Sequence, residues 1–198
     1  MAMKPQHVAI SLDGEPTLYP KLNQLIKEYK TRNFSTFVVS NGLLPERIEK
    51  LLEEPPTQLY ISVDAPNEEL FNLIDRPIIK NAWKGLCKTL SLLPKMREKM
   101  RTVLRFTLIK GMNMVNPEEW GEIIKLSNPM FVEVKAYMWV GYSRERLEQK
   151  NMPEHNEVKE FALEVAKHAD YKLIDGHEPS RVVLLMKEDF EGRVMRFE

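Results

Sequence analysis

ISLDGEPTLYP, residues 10–20, begins with the apolar character expected of a buried strand and then becomes a turn that carries two acidic residues. The apolar start is followed directly by Asp13, Gly14 and Glu15. Glycine permits the sharp backbone turn that such a sequence needs, and Pro20 suits the first turn of a helix that follows. The stretch therefore predicts a strand, an acidic loop and a helix in direct succession, which is the repeating unit of an α/β fold.

The same alternation continues along the rest of the chain. Short runs rich in β-branched and aromatic residues predict strands of a buried parallel sheet at residues 7–12, 36–40, 58–63, 103–109, 131–137 and 181–186. Amphipathic segments between them predict helices at residues 21–29, 45–52, 67–74, 79–93, 117–126 and 156–169. This order is compatible with an open doubly wound sheet or with a barrel. Because a full eight-stranded barrel takes about 250 residues, a partial (β/α) barrel or curved open sheet is the favoured architecture.

The composition predicts one globular domain over residues 1–198, with 43% hydrophobic and 29% charged residues. No apolar run is long enough for a membrane-spanning helix, and the first residues lack the apolar core of a signal peptide, so a cytoplasmic location is expected. Acidic and basic residues number 29 each, so the net charge of zero gives no global indication of a nucleic-acid partner. The densest basic cluster, residues 95–101, is interpreted as a solvated helix end.

Polar side chains follow the predicted strands at the end where parallel α/β folds bind their ligands. They are Asp13, Gly14 and Glu15, then Ser40 and Asn41, then Ser62 and Asp64, then Lys110 and Asn113, and finally Glu133, Lys135 and Tyr137. Together they predict a polar rim suited to an amino-acid-like or nucleoside ligand. Asp64 could instead cap the helix after it. Glu133 and Lys135 point to the same side of one strand, where they form either a structural ion pair or a substrate contact.

Motifs for metal binding and nucleophilic catalysis are absent from the sequence. The four histidines have no ligand spacing, and no nucleophile elbow, phosphate-binding loop or dinucleotide fingerprint occurs. The single cysteine, Cys87, excludes an internal disulfide framework. It falls on the predicted apolar face of helix 79–93 and is interpreted as a core residue.

A family resemblance is carried by segments distributed along the whole chain, in the order VAISLDGEPTLYPKL, FVVSNG, QLYISVDAP, RPIIKNAWKGL, FTLIKGMNM, FVEVKAYMWVGYSRERL, NMPEHNEV and EPSRVVLL. They closely resemble the 4-demethylwyosine synthases, radical S-adenosylmethionine (SAM) enzymes of wybutosine biosynthesis. The resemblance implies a partial (β/α)6 barrel that uses SAM and a [4Fe–4S] cluster. It also implies action on N1-methylguanosine in the anticodon loop of phenylalanine tRNA, with pyruvate as the donor of a two-carbon unit.

The resemblance also implies roles for the residues at the strand ends. Gly14 and Glu15 would receive the SAM amino group, and the methionine carboxylate and ribose would contact Ser40, Asn41, Ser62 and Asp64. The substrate side would be lined by Lys110, Asn113, Glu133, Lys135 and Tyr137. The anticodon stem-loop would contact Lys135, Tyr142, Arg144 and Arg146 through phosphate pairing and stacking, unless this segment is a solvated turn. Residues 138–198 would be the family-specific carboxyl-terminal extension.

The chain departs from the family pattern in its cysteines. The family holds its cluster with a C-x3-C-x2-C loop after the first barrel strand, and both this loop and the lysine thought to bind pyruvate precede the element that contains Glu15. Cys87 alone cannot hold an iron–sulfur cluster. We therefore expect no metal site in these residues, catalytic residues upstream of Met1, a missing first βα unit and no activity of this chain alone. The alternatives are a non-catalytic relic of the barrel that binds RNA or protein and, third, another radical SAM subfamily such as an activating enzyme.

Overall fold

The computed structural model describes residues 4–11 and 13–195. Its strands are β1 (His7–Ile10), β2 (Ser35–Ser40), β3 (Gln58–Val63), β4 (Arg101–Leu108), β5 (Phe131–Ala136), β6 (Lys172–His177) and β7 (Val182–Met186). Its helices are α1 (Leu22–Thr31), α2 (Pro45–Lys50), α3 (Glu68–Ile74), α4 (Ala82–Met96), α5 (Pro117–Ser127) and α6 (His155–Ala169). The predicted α/β alternation is confirmed. Leu12, which ends the first predicted strand, lies outside the described residues.

The strands form one sheet in the order β1-β2-β3-β4-β5-β7-β6. The first five strands are parallel and follow one another in chain order. A doubly wound sheet would reverse its strand order at a switch point, whereas unbroken chain order is the winding of a barrel. The sheet is therefore of the partial-barrel type, and the carboxyl ends of β1 to β5 lie along one edge.

The sequence prediction missed β6 and the hairpin that it forms. β7 pairs antiparallel with β5, and β6 pairs antiparallel with β7 with a register shift between Leu173 and Asp175. The β6 sequence KLIDGH is polar and mostly exposed, so it lacks the apolar run on which the other strand predictions depended. This hairpin extends the sheet beyond β5.

The central strands bury one face completely and leave the other face half-exposed. On β3 and β4, buried residues such as Ile61 and Phe106 alternate with half-buried ones such as Tyr60 and Arg105. The buried face packs against the helices in one core, in which the fully buried Trp120 of α5 lies 4.5 Å from Phe106 between ring centroids. We call the other side of β3, β4 and β5 the open face.

Helix α4 begins three residues later than predicted, at Ala82, and Ile79 is 45% exposed in the loop before it. Cys87 lies at the flank of the buried stripe of α4 and is half-buried, so the predicted core position is corrected. Burial, with a smaller contribution from the charge of Glu68, raises the pKa of the Cys87 thiol. Among the described residues, no helix combines the length and the apolar character needed to cross a bilayer.

Candidate functional site

Glu15 ties the carboxyl ends of β1 and β2 together. Its Oε1 accepts hydrogen bonds from the backbone N–H of Thr17 at 3.0 Å, from the Thr17 hydroxyl at 2.6 Å and from the Ser40 hydroxyl at 2.7 Å. Its Oε2 accepts the Asn41 backbone N–H at 2.8 Å. Thr17 and Ser40 are buried, so these bonds hold the carboxylate in a fixed orientation. Gly14 makes the preceding turn possible with a φ of 77°.

The bonding of Glu15 leaves part of its carboxylate free for a ligand. A carboxylate has about four lone-pair sites on its two oxygens. Oε1 already receives three donors, whereas Oε2 receives one. A side chain added at Gly14 would meet nothing within 4 Å, so this part of the turn borders open space. Glu15 therefore fits the ammonium group of an amino-acid-like ligand, which makes charge-assisted hydrogen bonds with a carboxylate.

A pocket of about 350 Å³ lies at the ends of β2 and β3. It is lined by Asn41, Ser62 and Asp64, and by Asp75, Ile78 and Ile79 from the segment after α3. Asn41 links this pocket to Glu15, because its backbone N–H is the donor to Glu15 Oε2. The sequence-predicted residues of β1, β2 and β3 are thus brought together at one corner of the sheet.

Asp64 has a buried acceptor atom without a partner among the described residues. This atom is Oδ1, and a buried polar atom without a partner within the protein is suited to receive a hydrogen bond from a ligand. Burial raises the pKa of the Asp64 carboxyl, and hydrogen bonds from Thr107 and the charge of Arg105 only partly oppose this. The alternative that Asp64 caps the next helix is wrong, because the side chain of Asn67 caps α3 by accepting the Leu70 N–H at 3.0 Å.

Asp75 is a site residue that the sequence reasoning missed. It ends α3 and lines the same pocket as Asp64. Burial, helped by the negative charge of Asp64, raises the pKa of Asp75 to about 7, and the charge of Arg146 opposes the rise. No local pattern marks Asp75, because only the tertiary fold brings the end of α3 to the end of β3.

Asn113 lies inside the fold and is fully buried. Its Oδ1 accepts the Ile109 N–H at 2.6 Å, and its Nδ2 donates to the carbonyls of Asp64 and Thr107, both at 2.8 Å. Both amide hydrogens are therefore used to hold the end of β4 against the end of β3. Asn113 therefore joins the ends of the two strands, and a substrate contact by this residue stays a prediction.

The open face carries a polar cluster across β3, β4 and β5. Arg105 Nε donates to Glu133 Oε2 at 2.6 Å, and its guanidinium lies 4.7 Å from the ring centroid of Tyr60. Tyr60 in turn accepts a hydrogen bond from Gln58 at 2.7 Å. Glu133 thus pairs with Arg105 on the neighbouring strand, which corrects the pairing with Lys135 considered from the sequence. Lys135 stands beside Thr107 in the strand register and is half-buried on the same face.

Two further predicted site residues lie at the periphery of the strand ends. Lys110 Nζ is 2.5 Å from Glu157 Oε1 on α6, in a largely exposed ion pair. Tyr137 is buried, and its hydroxyl donates to Ser143 Oγ at 2.8 Å. Both side chains therefore have partners within the chain.

The side chains after β5 that were predicted to contact RNA do not all point in the same direction. Tyr142 is 87% exposed. Arg144 lies 5.0 Å from the Trp139 ring centroid and donates to the Trp139 carbonyl at 3.1 Å. Arg146 instead donates to the carbonyl of Ile74 at 2.7 Å, so its guanidinium is directed toward α3.

The residues of this chain do not fit an iron–sulfur cluster. Such clusters are held by several cysteine thiolates, and the sequence contains only Cys87. Within residues 4–11 and 13–195, no group of three or more His, Cys, Asp or Glu side chains is placed to hold a metal ion. Any cluster ligands are therefore not supplied by these residues.

Comparisons with known proteins identify the class to which this fold and site belong. Residues 2–127 match the radical SAM superfamily, and residues 126–187 match a family described as wyosine base formation. The chain is therefore a member of the radical SAM superfamily, a class whose cofactors are SAM and a [4Fe–4S] cluster. The family resemblance seen in the sequence is confirmed, since the chain is homologous to tRNA 4-demethylwyosine synthases over nearly all of its length.

The SAM-dependent tRNA 4-demethylwyosine synthase of Pyrococcus abyssi is 47% identical over 193 residues, covering 96% of this chain and 56% of that protein. The corresponding enzyme of Methanocaldococcus jannaschii is 45% identical over 188 residues, covering 95% and 58%. A solved structure described as TYW1 with a lysine-pyruvate adduct bound superimposes with a TM-score of 0.82 at 43% identity, over 92% of this chain and 57% of that one. The chain thus spans little more than half the length of the relatives that it matches.

Proposed function

We propose that this chain provides the SAM-binding site, and part of the RNA-binding surface, of an enzyme that forms 4-demethylwyosine in tRNA. One observation supports the SAM site above all. Glu15 and Asp64 each retain a carboxylate oxygen that can accept a further hydrogen bond. Asn41 connects the two acids, because it contacts Glu15 and lines the same pocket as Asp64. An ammonium group and a ribose are the two parts of SAM that need such acceptors.

In this proposal each strand end contributes a different contact to SAM. Glu15 Oε2 and the Gly14 turn receive the amino group. Ser40 acts through Glu15, because its hydroxyl donates to that carboxylate. Ser62 and Asp64 receive the ribose hydroxyls, a contact for which carboxylates serve in other nucleotide sites. When bound, SAM supplies the 5′-deoxyadenosyl group on which the chemistry of the family depends.

The proposed substrates follow the relatives. The enzymes of Pyrococcus abyssi and Methanocaldococcus jannaschii are tRNA 4-demethylwyosine synthases by name, and a related solved structure contains a lysine-pyruvate adduct. We extend to this chain the anticodon loop of phenylalanine tRNA as RNA substrate and pyruvate as carbon donor. A tRNA substrate also agrees with the cytoplasmic location expected from the sequence.

Substrate contacts on this chain are proposed for the open face and the segment after β5. Lys135 is a half-buried cation of the open face near the Arg105–Glu133 pair, which suits it to an anionic or carbonyl group of the substrate. Tyr142 and Arg144, which follow β5, are proposed to contact RNA. Residues 138–198 remain the proposed carboxyl-terminal extension of the single domain.

Titration of SAM into the purified chain, followed by isothermal calorimetry, tests the proposed site. Asp64→Asn keeps the shape of the side chain but removes its charge and replaces one of its two acceptor oxygens by an NH2 donor. We therefore expect SAM affinity to fall about tenfold, the cost of one good hydrogen bond to a charged group. Glu69→Gln, on the exposed side of α3, removes the same charge and should leave affinity unchanged. Absence of SAM binding by the parent chain, or equal binding by Asp64→Asn, would contradict the proposal.

The second candidate is a non-catalytic relic of the barrel that binds RNA or protein, for which the exposed Tyr142 and the nearby Arg144 would serve equally well. Both candidates predict that this chain, incubated with iron, sulfide and a reductant, makes no 5′-deoxyadenosine from SAM. Formation of that product would show that the chain is active alone. The genomic DNA upstream of Met1 separates the candidates: an in-frame cysteine-rich segment supports the enzyme, and its absence supports the relic.

A further inference from the structure

Two loops that are far apart in sequence lie side by side at the carboxyl end of the sheet. One is residues 73–80, which comprise the last two residues of α3 and the loop after it, and the other is residues 138–146, after β5. Arg146 joins them, because its guanidinium donates to the carbonyl of Ile74 at 2.7 Å. The charge of Arg146 also acts on Asp75 of the first loop. The two loops therefore form one continuous surface, which we call the paired-loop surface.

The paired-loop surface concentrates apolar side chains that face solvent. Of thirteen large apolar side chains that are exposed in the described part of the chain, six belong to it, namely Leu73, Ile78, Ile79, Met138, Val140 and Tyr142. Ile78 is fully exposed, and Tyr142 is 87% exposed. Monomeric proteins seldom expose apolar groups in such a cluster unless the cluster binds something.

Hydrogen bonds hold the second loop in shape, so its apolar groups do not fold inward. Ser143 Oγ donates to the Val140 carbonyl at 2.5 Å and accepts from the Tyr137 hydroxyl at 2.8 Å. Trp139 Nε1 donates to the Leu147 carbonyl at 2.8 Å. A loop braced in this way presents Tyr142 with little loss of conformational entropy on binding.

The charge of the paired-loop surface is positive although the chain as a whole is neutral. Its cations are Arg76, Lys80, Arg144 and Arg146, and its acids are Asp75 and Glu145. Asp75 is partly neutralised near pH 7, because burial raises its pKa to about 7. Exposed aromatic and aliphatic groups interleaved with cations match the bases and phosphates of unpaired RNA.

We infer that the paired-loop surface docks an unpaired RNA segment, with a base stacked on Tyr142 and phosphates paired with Arg76, Lys80 and Arg144. In this arrangement Arg146 is a positioning residue that holds the two loops together. The inference rests on the proposed function and adds residues 73–80 to its RNA contacts. Ile78 and Ile79 also line the pocket that contains Asp64, so the docked RNA lies next to the proposed SAM site.

The test measures binding of the 198-residue chain to a fluorescein-labelled RNA hairpin with an unpaired loop and to a blunt duplex of the same stem. The parent chain is expected to prefer the hairpin. Arg76→Glu/Lys80→Glu should weaken hairpin binding about tenfold or more and make it less sensitive to salt, because two phosphate contacts are lost. Tyr142→Ala should weaken hairpin binding by about fivefold or more, the usual cost of one stacked base, and should leave duplex binding unchanged.

Lys95→Glu/Lys99→Glu is the matched control, because it makes the same charge change at exposed positions in the basic cluster before β4. The inference is overturned if this control weakens binding as much as the loop variant, or if the parent chain does not distinguish hairpin from duplex. It is also overturned if Ile78→Ala disrupts a dimer seen by sedimentation while hairpin binding stays intact. Titration of SAM into the same variants distinguishes this inference from the proposed SAM site. A loop variant that binds both SAM and the hairpin as well as the parent does contradicts the docking surface but not the SAM site.

Discussion

Arg105 Nε lies 2.6 Å from Glu133 Oε2, on adjacent parallel strands whose register places the two residues side by side. Their side chains are 30% and 28% exposed, so solvent screens the pair only in part. Glu133→Gln leaves the Arg105 guanidinium half-buried without its counter-ion, and we expect the free energy of unfolding to fall by about 1–2 kcal/mol, between the values for exposed and buried pairs.

Urea denaturation measures this cost. The matched control is Glu164→Gln, which breaks the exposed Lys167–Glu164 pair of α6 and should cost less than about 0.5 kcal/mol. Equal effects of the two variants would show that the Arg105–Glu133 pair is no stronger than a surface pair.

Asn113 is expected to be important for stability. Asn113→Ala removes the acceptor for the Ile109 N–H and the donors to the carbonyls of Asp64 and Thr107. Since buried groups without partners each cost about 1–3 kcal/mol, we expect a loss of at least 2 kcal/mol in the free energy of unfolding. Denaturation of Asn156→Ala, which alters an exposed residue of α6, provides the comparison. A loss below 1 kcal/mol for Asn113→Ala would contradict this role.

The central strands could be predicted from sequence because their chemistry is local. β2 to β5 each carry a row of apolar residues that the helices bury, so hydrophobicity alone marks them. β6 could not be found in this way. Its polar residues become a strand because β7 offers an antiparallel edge with which to pair, and such pairing depends on tertiary contacts.

The site shows the same division between local and tertiary information. The strand-end position of Glu15, Ser62 and Asp64 follows from the order of elements, which the sequence reveals. The partners of these residues do not: Asp75 reaches the pocket only through the packing of α3. Arg146 was likewise predicted from sequence as an RNA contact, but the sequence did not show that its side chain donates to a carbonyl 72 residues earlier in the chain.

Stability should decrease as the pH rises from about 4 to about 7. The carboxyl of Asp75 has a pKa of about 7 in the folded chain, against 3.8 for the unperturbed group. Between these values the folded state binds more protons at this carboxyl than the unfolded state, so its contribution to the free energy of unfolding falls as the pH rises. The Asp75 side chain is in contact with solvent, which screens its charge and reduces the size of the effect. Burial also raises the pKa of Asp64, which contributes in the same direction.

Urea denaturation at pH 5 and pH 8 tests this dependence. Asp75→Asn should have a flatter profile and exceed the parent in stability at pH 8. Arg146→Met removes a charge that lowers the pKa of Asp75, so it should move the transition to higher pH. The same pH profile for Asp75→Asn and the parent would assign the effect to other groups.

Ser40 is expected to affect SAM binding without touching SAM. Its hydroxyl donates to Glu15 Oε1 at 2.7 Å and accepts the Gly42 N–H at 3.0 Å, and Ser40 is almost fully buried. Ser40→Ala removes the donor that orients Glu15 from β2 and leaves the Gly42 N–H without this acceptor. We expect a loss of about 1–2 kcal/mol in stability and, because Glu15 Oε2 is then less well placed, about threefold to tenfold weaker binding of SAM.

Calorimetric titration of SAM and urea denaturation measure the two effects. Ser91→Ala, on the exposed side of α4, should change neither. If Ser40→Ala lowers stability while SAM binds with unchanged affinity, Glu15 joins the strand ends but does not receive the SAM amino group.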